Sequence, residues 1–270
     1  MAHPVSVQVC TLNEEANIGP CLDQILTNDP EDVVVIDGGS TDRTVGIARG
    51  RGIRVIEAGP VGLAAQRRIG YQTSPSAYTA FVDADDRLEP RWIPTMLAEL
   101  QAGGYSALQS LLRVPSSECW WSAAWNRYFV SAVTPQADTI MVGRPSLFNT
   151  RALLALPEPS GAIVEDTEMS RQFALKGMRM GIGTAISFRI CPTTKEENFR
   201  KWRGYGRGYQ QFVQQFPERR TAILKHMAVT VPVSRTLPSV AQGHISQPVF
   251  GFMMSVNMII GWMQESLQGH

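Results

Sequence analysis

The first hundred residues alternate short β-branched, apolar runs with helix-compatible stretches, and this alternation constrains the fold more than any other feature of the chain. The runs are Val5–Cys10, Val33–Ile36, Arg54–Ile56 and Tyr78–Val82. Between them lie Ala16–Leu26, with Ile18, Leu22 and Ile25 on one helical face, then Thr41–Arg49, Gly62–Tyr71 and Arg91–Leu100. Strand and helix at this spacing build right-handed βαβ units on a mostly parallel sheet. Ligands of such sheets bind at the carboxyl ends of the strands. Beyond these residues the pattern loosens. Ser106–Arg113 and Val142–Asn149 read as further strands and Trp120–Val130 as an aromatic-rich helix. Glu165 opens a helix that runs to Lys176 and stops at Gly177, and Phe199–Phe216 reads as helical despite three glycines.

Polar residues gather where the rule places a ligand. The first run ends in Thr11-Leu12-Asn13-Glu14-Glu15, the second in Asp37-Gly38-Gly39-Ser40-Thr41-Asp42, and the fourth in Asp83-Ala84-Asp85-Asp86. Thr41 and Asp42 serve equally well as caps of the next helix. Asp83, Asp85 and Asp86 are harder to explain structurally, because close carboxylates repel unless a cation sits among them. Two carboxylates at i and i+2 past a strand meet a hard divalent ion from one side, leaving its other positions to water and phosphate oxygens. A dinucleotide fold of the G-x-G-x-x-G type is excluded, since Asn13-Glu14-Glu15 follows the first strand. A haloacid-type phosphatase is disfavoured too: its D-x-D follows the first strand, whereas this pair follows the fourth.

Charge and cysteine usage narrow the classes further. Lys and Arg number 25 against 24 Asp and Glu, which argues against a surface that coats nucleic acid. The balance is uneven, with 11 basic and 16 acidic residues through position 150 and 14 and 8 after it. That division suits a metal or polar-ligand site followed by a surface for something anionic. Cys10, Cys21, Cys119 and Cys191 are scattered without a C-x-x-C pair, which disfavours a zinc site or disulfide scaffold and fits a reducing compartment. No basic, apolar leader precedes the first strand, so a cytosolic location is expected, with the cytosolic face of a membrane as the variant.

Taken in order, Thr11–Glu15, Val35–Asp42, Ala64–Gly70, Phe81–Asp86 and Glu165–Gly177 resemble glycosyltransferase family 2, whose members are inverting, nucleotide-sugar-dependent enzymes of GT-A fold. The resemblance covers residues 4–210. It implies an α/β, Rossmann-like domain with a central, mostly parallel sheet flanked by helices, plus a helical C-terminal appendage. The implied division is a catalytic domain at 1–215, made of a nucleotide-sugar half (1–105) and an acceptor half (106–215), and an apolar tail at 216–270. The implied nucleotide-sugar contacts are Thr11, Asn13, Glu14, Glu15, Asp37, Gly38, Gln66, Arg67, Asp83, Ala84 and Asp85. Ala65-Gln66-Arg67-Arg68 stands where the family usually reads A-R-N, which leaves open whether Arg67 or Arg68 turns inward. Asp85 is implied as the direct ligand of Mn²⁺ or Mg²⁺, with Asp83 beside it, and Asp86 as an acceptor-side or capping residue. Asp166 is implied as the general base, with Glu165 its neighbour at the acceptor. The donor is expected to be UDP-linked before GDP- or dTDP-linked, and the hydroxyl acceptor lipid-linked or polysaccharide. A soluble acceptor (protein, small molecule or modified nucleic-acid base) and a non-catalytic sugar-nucleotide binder are the competing readings.

Arg200–Gly208 resembles the W-x-x-Y-G-R-G segment of members that build exopolysaccharide or modify lipid-linked sugars. Arg203 and Arg207, four apart on one helical face, with Trp202 between them, are expected at the diphosphate or at an acceptor phosphate; a solvated basic face is the alternative. Trp120, Trp121 and Trp125 suit a sugar-stacking groove or, more simply, a core. Ile245–Met263 carries no charge and is long enough to cross a bilayer, but its polar and glycine residues weaken that use. An interfacial or homo-oligomeric surface of Phe250, Met253, Met254, Ile259, Ile260 and Trp262 is expected instead, as a peripheral membrane contact behind the basic residues Arg219, Arg220 and Lys225.

Overall fold

The computed structural model describes residues 2–115, 119–139, 142–158, 165–234, 240, 243–244 and 246–268. They form two compact units. The first carries β1 (His3–Thr11), α1 (Ile18–Leu26), β2 (Pro30–Asp37), α2 (Thr44–Gly50), β3 (Arg54–Glu57), α3 (Leu63–Gln72), β4 (Tyr78–Asp83), β5 (Asp86–Leu88), α4 (Trp92–Gly103) and β6 (Ala107–Arg113). After α5 (Trp120–Ala132), which belongs to the second unit, the first resumes with β7 (Ser146–Asn149), α6 (Thr150–Leu154), α7 (Glu165–Leu175) and β8 (Met180–Arg189).

These strands form one sheet of eight in the order β3-β2-β1-β4-β7-β6-β8-β5. The β3-β2-β1-β4 half is parallel throughout, as its alternating sequence requires. β7 runs antiparallel to β4 and β6, and β5 antiparallel to β8. The strand expected from Val142 begins only at Ser146, after Pro145, which has no N–H to give a ladder. β5 and β8 were not anticipated.

Side chains of β4 alternate across the sheet. Ala80 and Val82 join a core with Val5, Val7 and Val9 of β1, Ile18 and Leu22 of α1, and Trp92 and Met96 of α4. Phe81 points the other way, into a cluster with Tyr71 of α3, Phe148 of β7 and Phe173 of α7. The sheet is thereby fixed from both faces, and the carboxyl ends of β1, β2 and β4 come into line: Thr11 pairs with Asp37, and Cys10 with Asp83.

The second unit holds α5, α8 (Lys195–Gln215), a 3₁₀ turn at Pro217–Arg219, α9 (Arg220–Lys225), a π-helical stretch at His226–Ser234 and α10 (Gln247–Gln268). Thr194 and Glu197 close a capping box at the start of α8. Helices α8 and α10 touch through backbone. A Cβ on Gly206 would lie 1.9 Å from the Met258 carbonyl oxygen, and one on Gly261 would lie 2.1 Å from that of Arg203. Only glycine allows so close an approach. Gly206→Ala is therefore expected to cost about 1–3 kcal/mol by forcing the helices apart. Gly46→Ala on α2, where a Cβ meets nothing within 4 Å, is expected to be neutral or stabilising. Denaturant unfolding of the two variants checks this, and equal midpoints would contradict the crossing.

The fate of the C-terminal helix corrects one expectation. Phe250, Met254, Met258 and Trp262 are buried in the core of the second unit, packed with Trp125, Trp202 and Phe212. Phe250, Met254 and Trp262 thus leave the surface group assigned to them, because helical periodicity turns that face onto α8. The exposed apolar side chains of α10 are Val249, Phe252, Val256, Met263 and Leu267, all on the opposite face. Ile245, the first residue of the uncharged stretch, lies outside the described residues. Among the described residues no helix is long and apolar enough to cross a membrane.

Candidate active site

At the carboxyl end of the parallel strands the loops after β1 and β2 are laced together by their own polar groups. Asn13 adopts a left-handed backbone conformation (φ 56°) and its Oδ1 accepts from the Thr41 N–H at 2.8 Å. The Glu14 N–H donates to Thr44 Oγ1 at 2.8 Å, and Glu15 accepts from the backbone and side chain of Arg43. Asp42 Oδ1 accepts from the Thr44 N–H at 2.9 Å, just ahead of α2. Asp37 is buried; its carboxylate takes hydrogen bonds from Thr11 Oγ1 (3.1 Å), the Gly39 N–H (3.0 Å) and the Ser40 N–H (2.8 Å). Asp37 therefore shapes the turn around Gly38, where a Cβ would strike Gln66 Nε2 at 2.5 Å.

The loop after β1, the start of α3 and the end of β4 wall an open cleft of about 420 Å³ lined by Thr11, Leu12, Glu14, Leu63, Gln66, Asp83, Ala84 and Asp85, among others. Six of the expected nucleotide-sugar residues meet there. Asn13, Glu15, Asp37 and Gly38 stand behind them in the loop framework. Arg67 is buried and turned inward, whereas Arg68 pairs at the surface with Glu158, which resolves the choice between the two arginines.

Acidic and basic groups interlock behind this cleft. Arg67 Nη2 lies 2.9 Å from Asp83 Oδ1 and 3.2 Å from Glu165 Oε1. The same Glu165 oxygen is 3.7 Å from Arg144 Nη2. Arg189, brought opposite Asp86 by the β5–β8 register, grips both Asp86 oxygens at 2.8 Å and touches Asp83 Oδ2 at 2.9 Å. Its Nε is 3.8 Å from Asp85 Oδ1. Burial pushes the Asp83 carboxyl up, but Arg67 and Arg189 outweigh it and hold the group at about 2. Burial lifts Asp86 to about 7, helped by its acidic neighbours and opposed by Arg189. Burial also raises Glu165, against the pull of Arg67.

Asp83, Asp85 and Asp86 each offer an oxygen within 4.8 Å of the others, a hard-donor set that fits Mg²⁺ or Mn²⁺. Asp86 was expected as an acceptor-side or capping residue. It is instead fully buried under Arg189. Glu165 and Asp166 open α7, whose N-terminal dipole favours negative charge, and Asp166 Oδ1 accepts from the Thr167 N–H at 2.8 Å.

Arg203, Arg207 and Trp202 belong to the second unit. Arg203 donates Nε–H to Asn257 Oδ1 at 3.1 Å, and Arg200, Arg203 and Arg207 line a groove of about 400 Å³ with Gln264. Trp202 is 0% exposed, its ring against Trp121, Trp125 and Phe250. This corrects its assignment to a phosphate contact: it is a core residue. Trp125 is core as well, and its Nε1–H donates to Asn198 Oδ1 at 2.7 Å. Arg144 and Arg189 escaped the sequence reading. The spaced apolar residues Ile182, Ile186 and Phe188 were a signal for the strand that delivers Arg189; nothing local marks Arg144.

The family model described as glycosyl transferase family 2 matches residues 6–156. Glycosyltransferase GlyA of Streptococcus pneumoniae serotype 4 is 31% identical over 103 residues, 36% of this chain and 15% of the relative. The two curated relatives are matched over only 15% and 29% of their own lengths. Among solved structures, mannosyltransferase PcManGT from Pyrobaculum calidifontis, in complex with GDP-Man and Mn²⁺, aligns with a TM-score of 0.70 at 17% identity, over 100% of this chain and 89% of that one. Glucosyl-3-phosphoglycerate synthase from Mycobacterium tuberculosis, in complex with Mn²⁺, UDP and glucosyl-3-phosphoglycerate, aligns with a TM-score of 0.59 at 19% identity, over 78% of each chain. At these identities the likeness is one of fold, and the fold is GT-A.

Proposed function

The chain belongs to glycosyl transferase family 2, and from that premise we propose that it moves one sugar from a nucleotide-sugar to an acceptor hydroxyl with inversion. The carrying observation is the cleft in which Asp83 and Asp85 stand beside Thr11, Glu14 and Gln66. Leu12 and Leu63 offer apolar surface to a base, and Asp83 and Asp85 would hold the metal. That ion, when bound, offsets the charge on the departing diphosphate. Asp166 takes the proton of the acceptor hydroxyl as its oxygen attacks the anomeric carbon opposite the leaving diphosphate, so one bond forms as the other breaks. Inversion needs no covalent intermediate and no second nucleophilic carboxylate. Glu165 is committed to Arg67, which supports Asp166 rather than Glu165 as the base.

The donor is UDP-linked first, with GDP- and dTDP-sugars as the alternatives; the neighbours seen with UDP or GDP-Man and Mn²⁺ support a nucleoside diphosphate and a divalent ion. The test is a screen of UDP-, GDP- and dTDP-sugars for Mn²⁺-dependent hydrolysis and thermal stabilisation. At 100-fold excess over Kd the preferred donor adds about 2.7 kcal/mol to apparent stability. A chain that no donor stabilises or loses to hydrolysis would not be a transferase.

The acceptor is lipid-linked or polysaccharide, and the protein works at a membrane surface on the cytosolic side. The exposed stripe Val249, Phe252, Val256, Met263 and Leu267 on α10 supports this, as do the exposed Arg219, Arg220 and Lys225. Cys10, Cys21, Cys119 and Cys191, none of them in a disulfide, suit a reducing compartment. Phe252→Glu with Met263→Glu is expected to abolish co-sedimentation with phosphatidylglycerol liposomes while leaving the fold intact. Equal binding by the double variant would move the contact elsewhere; a wild type that ignores liposomes and elutes as a dimer would give the stripe to a second copy.

A further inference from the structure

Arg144 is an under-paired buried cation. Its side chain is 3% exposed and stacked over Phe81 and Phe148, with Cζ 5.0 and 5.8 Å from the ring centres. Nη1 donates to the Gly143 carbonyl at 3.2 Å, but neither Nε nor Nη2 has a hydrogen-bond partner among the described residues. Those two N–H groups form one edge of the guanidinium, the fork that fits a carboxylate or phosphate in bidentate fashion. Arg67 Nε is orphaned as well. Both arginines line a cavity of about 40 Å³, with Ala64, Tyr71, Glu165 and Glu168 in the same wall.

No carboxylate at this cavity makes a hydrogen bond to Arg144 among the described residues. Arg67 is shared between Asp83 and Glu165. The contact of Arg144 with Glu165, at 3.7 Å, is too long for a hydrogen bond. Glu168 has an interaction of its own. Buried donors left unpaired are costly, and a buried charge without a partner more so. Water in the cavity would satisfy these N–H groups singly; an oxyanion would meet both along the fork with charge-assisted hydrogen bonds.

We infer that the cavity at Arg144 and Arg67 is a subsite for an oxyanion, the carboxylate or phosphate of an anionic acceptor held next to Glu165–Asp166. The acceptor part of this inference rests on the proposed role of Asp166; the anion site itself does not. The experiment follows thermal unfolding of the full chain, preloaded with UDP and Mg²⁺ so that the donor cleft is filled, as inorganic phosphate or acetate replaces chloride at constant ionic strength. At least one probe is expected to raise the Tm, phosphate pointing to a phosphorylated acceptor and acetate to a carboxylated one. Arg144→Lys keeps the charge, removes the fork and should weaken the probe about tenfold, the worth of one charge-assisted hydrogen bond. Ala64→Leu fills the cavity without touching a charge and should abolish the response, and it decides the matter if Arg144→Lys does not fold. No shift beyond chloride in the wild type, or wild-type affinity in both variants, would overturn the subsite. If no nucleoside diphosphate stabilises the wild type, the proposed enzymatic function fails instead, and the phosphate and acetate titrations are then read on the nucleotide-free chain with the same variants.

Discussion

Asp85→Ala is expected to abolish the metal-dependent part of donor binding and to leave the fold standing. Both Asp83 oxygens are taken by Arg67 and Arg189, and both Asp86 oxygens by Arg189. Asp85, at 3.8 Å from Arg189 Nε, is the carboxylate of the three least engaged by these arginines, and it lies in the wall of the cleft. It is thus best placed to meet a cation directly, and removing it leaves two carboxylates locked in ion pairs. Loss of one of three close negative charges also relieves repulsion, so no loss of stability is expected. Calorimetry of UDP binding with and without Mn²⁺ checks the result. The wild type should gain affinity with the ion, and the variant should bind UDP equally weakly in both conditions. A variant that keeps its Mn²⁺ enhancement would show that Asp85 does not hold the metal.

Asp166→Asn is expected to leave donor binding near the wild-type value and to lower transfer by about 10²–10⁴-fold, the usual worth of a positioned general base. The substitution is nearly isosteric. The amide oxygen can still accept the Thr167 N–H at 2.8 Å, so the start of α7 keeps its geometry, but an amide cannot take up the acceptor proton. Glu165→Gln is the informative contrast. It withdraws the charge that faces Arg67 at 3.2 Å and Arg144 at 3.7 Å and leaves Arg67 to Asp83 alone, so it should destabilise the protein where Asp166→Asn does not. Single-turnover transfer and donor calorimetry on the two variants separate these roles. Joint loss of donor binding and transfer in Asp166→Asn would place that residue in donor binding instead.

The parallel half of the sheet and most of the lining of the cleft were written in local sequence. Alternation of β-branched runs with helical stretches specifies βαβ units because side-chain periods of two and 3.6 are short-range properties. Parallel strands put their carboxyl ends side by side, so Thr11, Glu14, Asp83 and Asp85 had to meet once β1 and β4 were neighbours. Asp83, Asp85 and Asp86 called for positive charge by their mutual repulsion, and Arg67 and Arg189 supply part of it. What local sequence could not determine are pairings between distant segments. Asp86 meets Arg189 only because β5 lies antiparallel to β8, about a hundred residues later in the chain. Arg144 acquires its setting from Phe81 and Glu165, both distant in the chain, as well as from nearby Phe148. The apolar residues of α10 were evident by composition, but their division into a buried and an exposed set awaited α8. The Gly206 and Gly261 contacts draw the two helices to backbone distance and turn Phe250, Met254 and Trp262 inward. Hydrophobicity states that a side chain is better buried; only the packing partner decides against what.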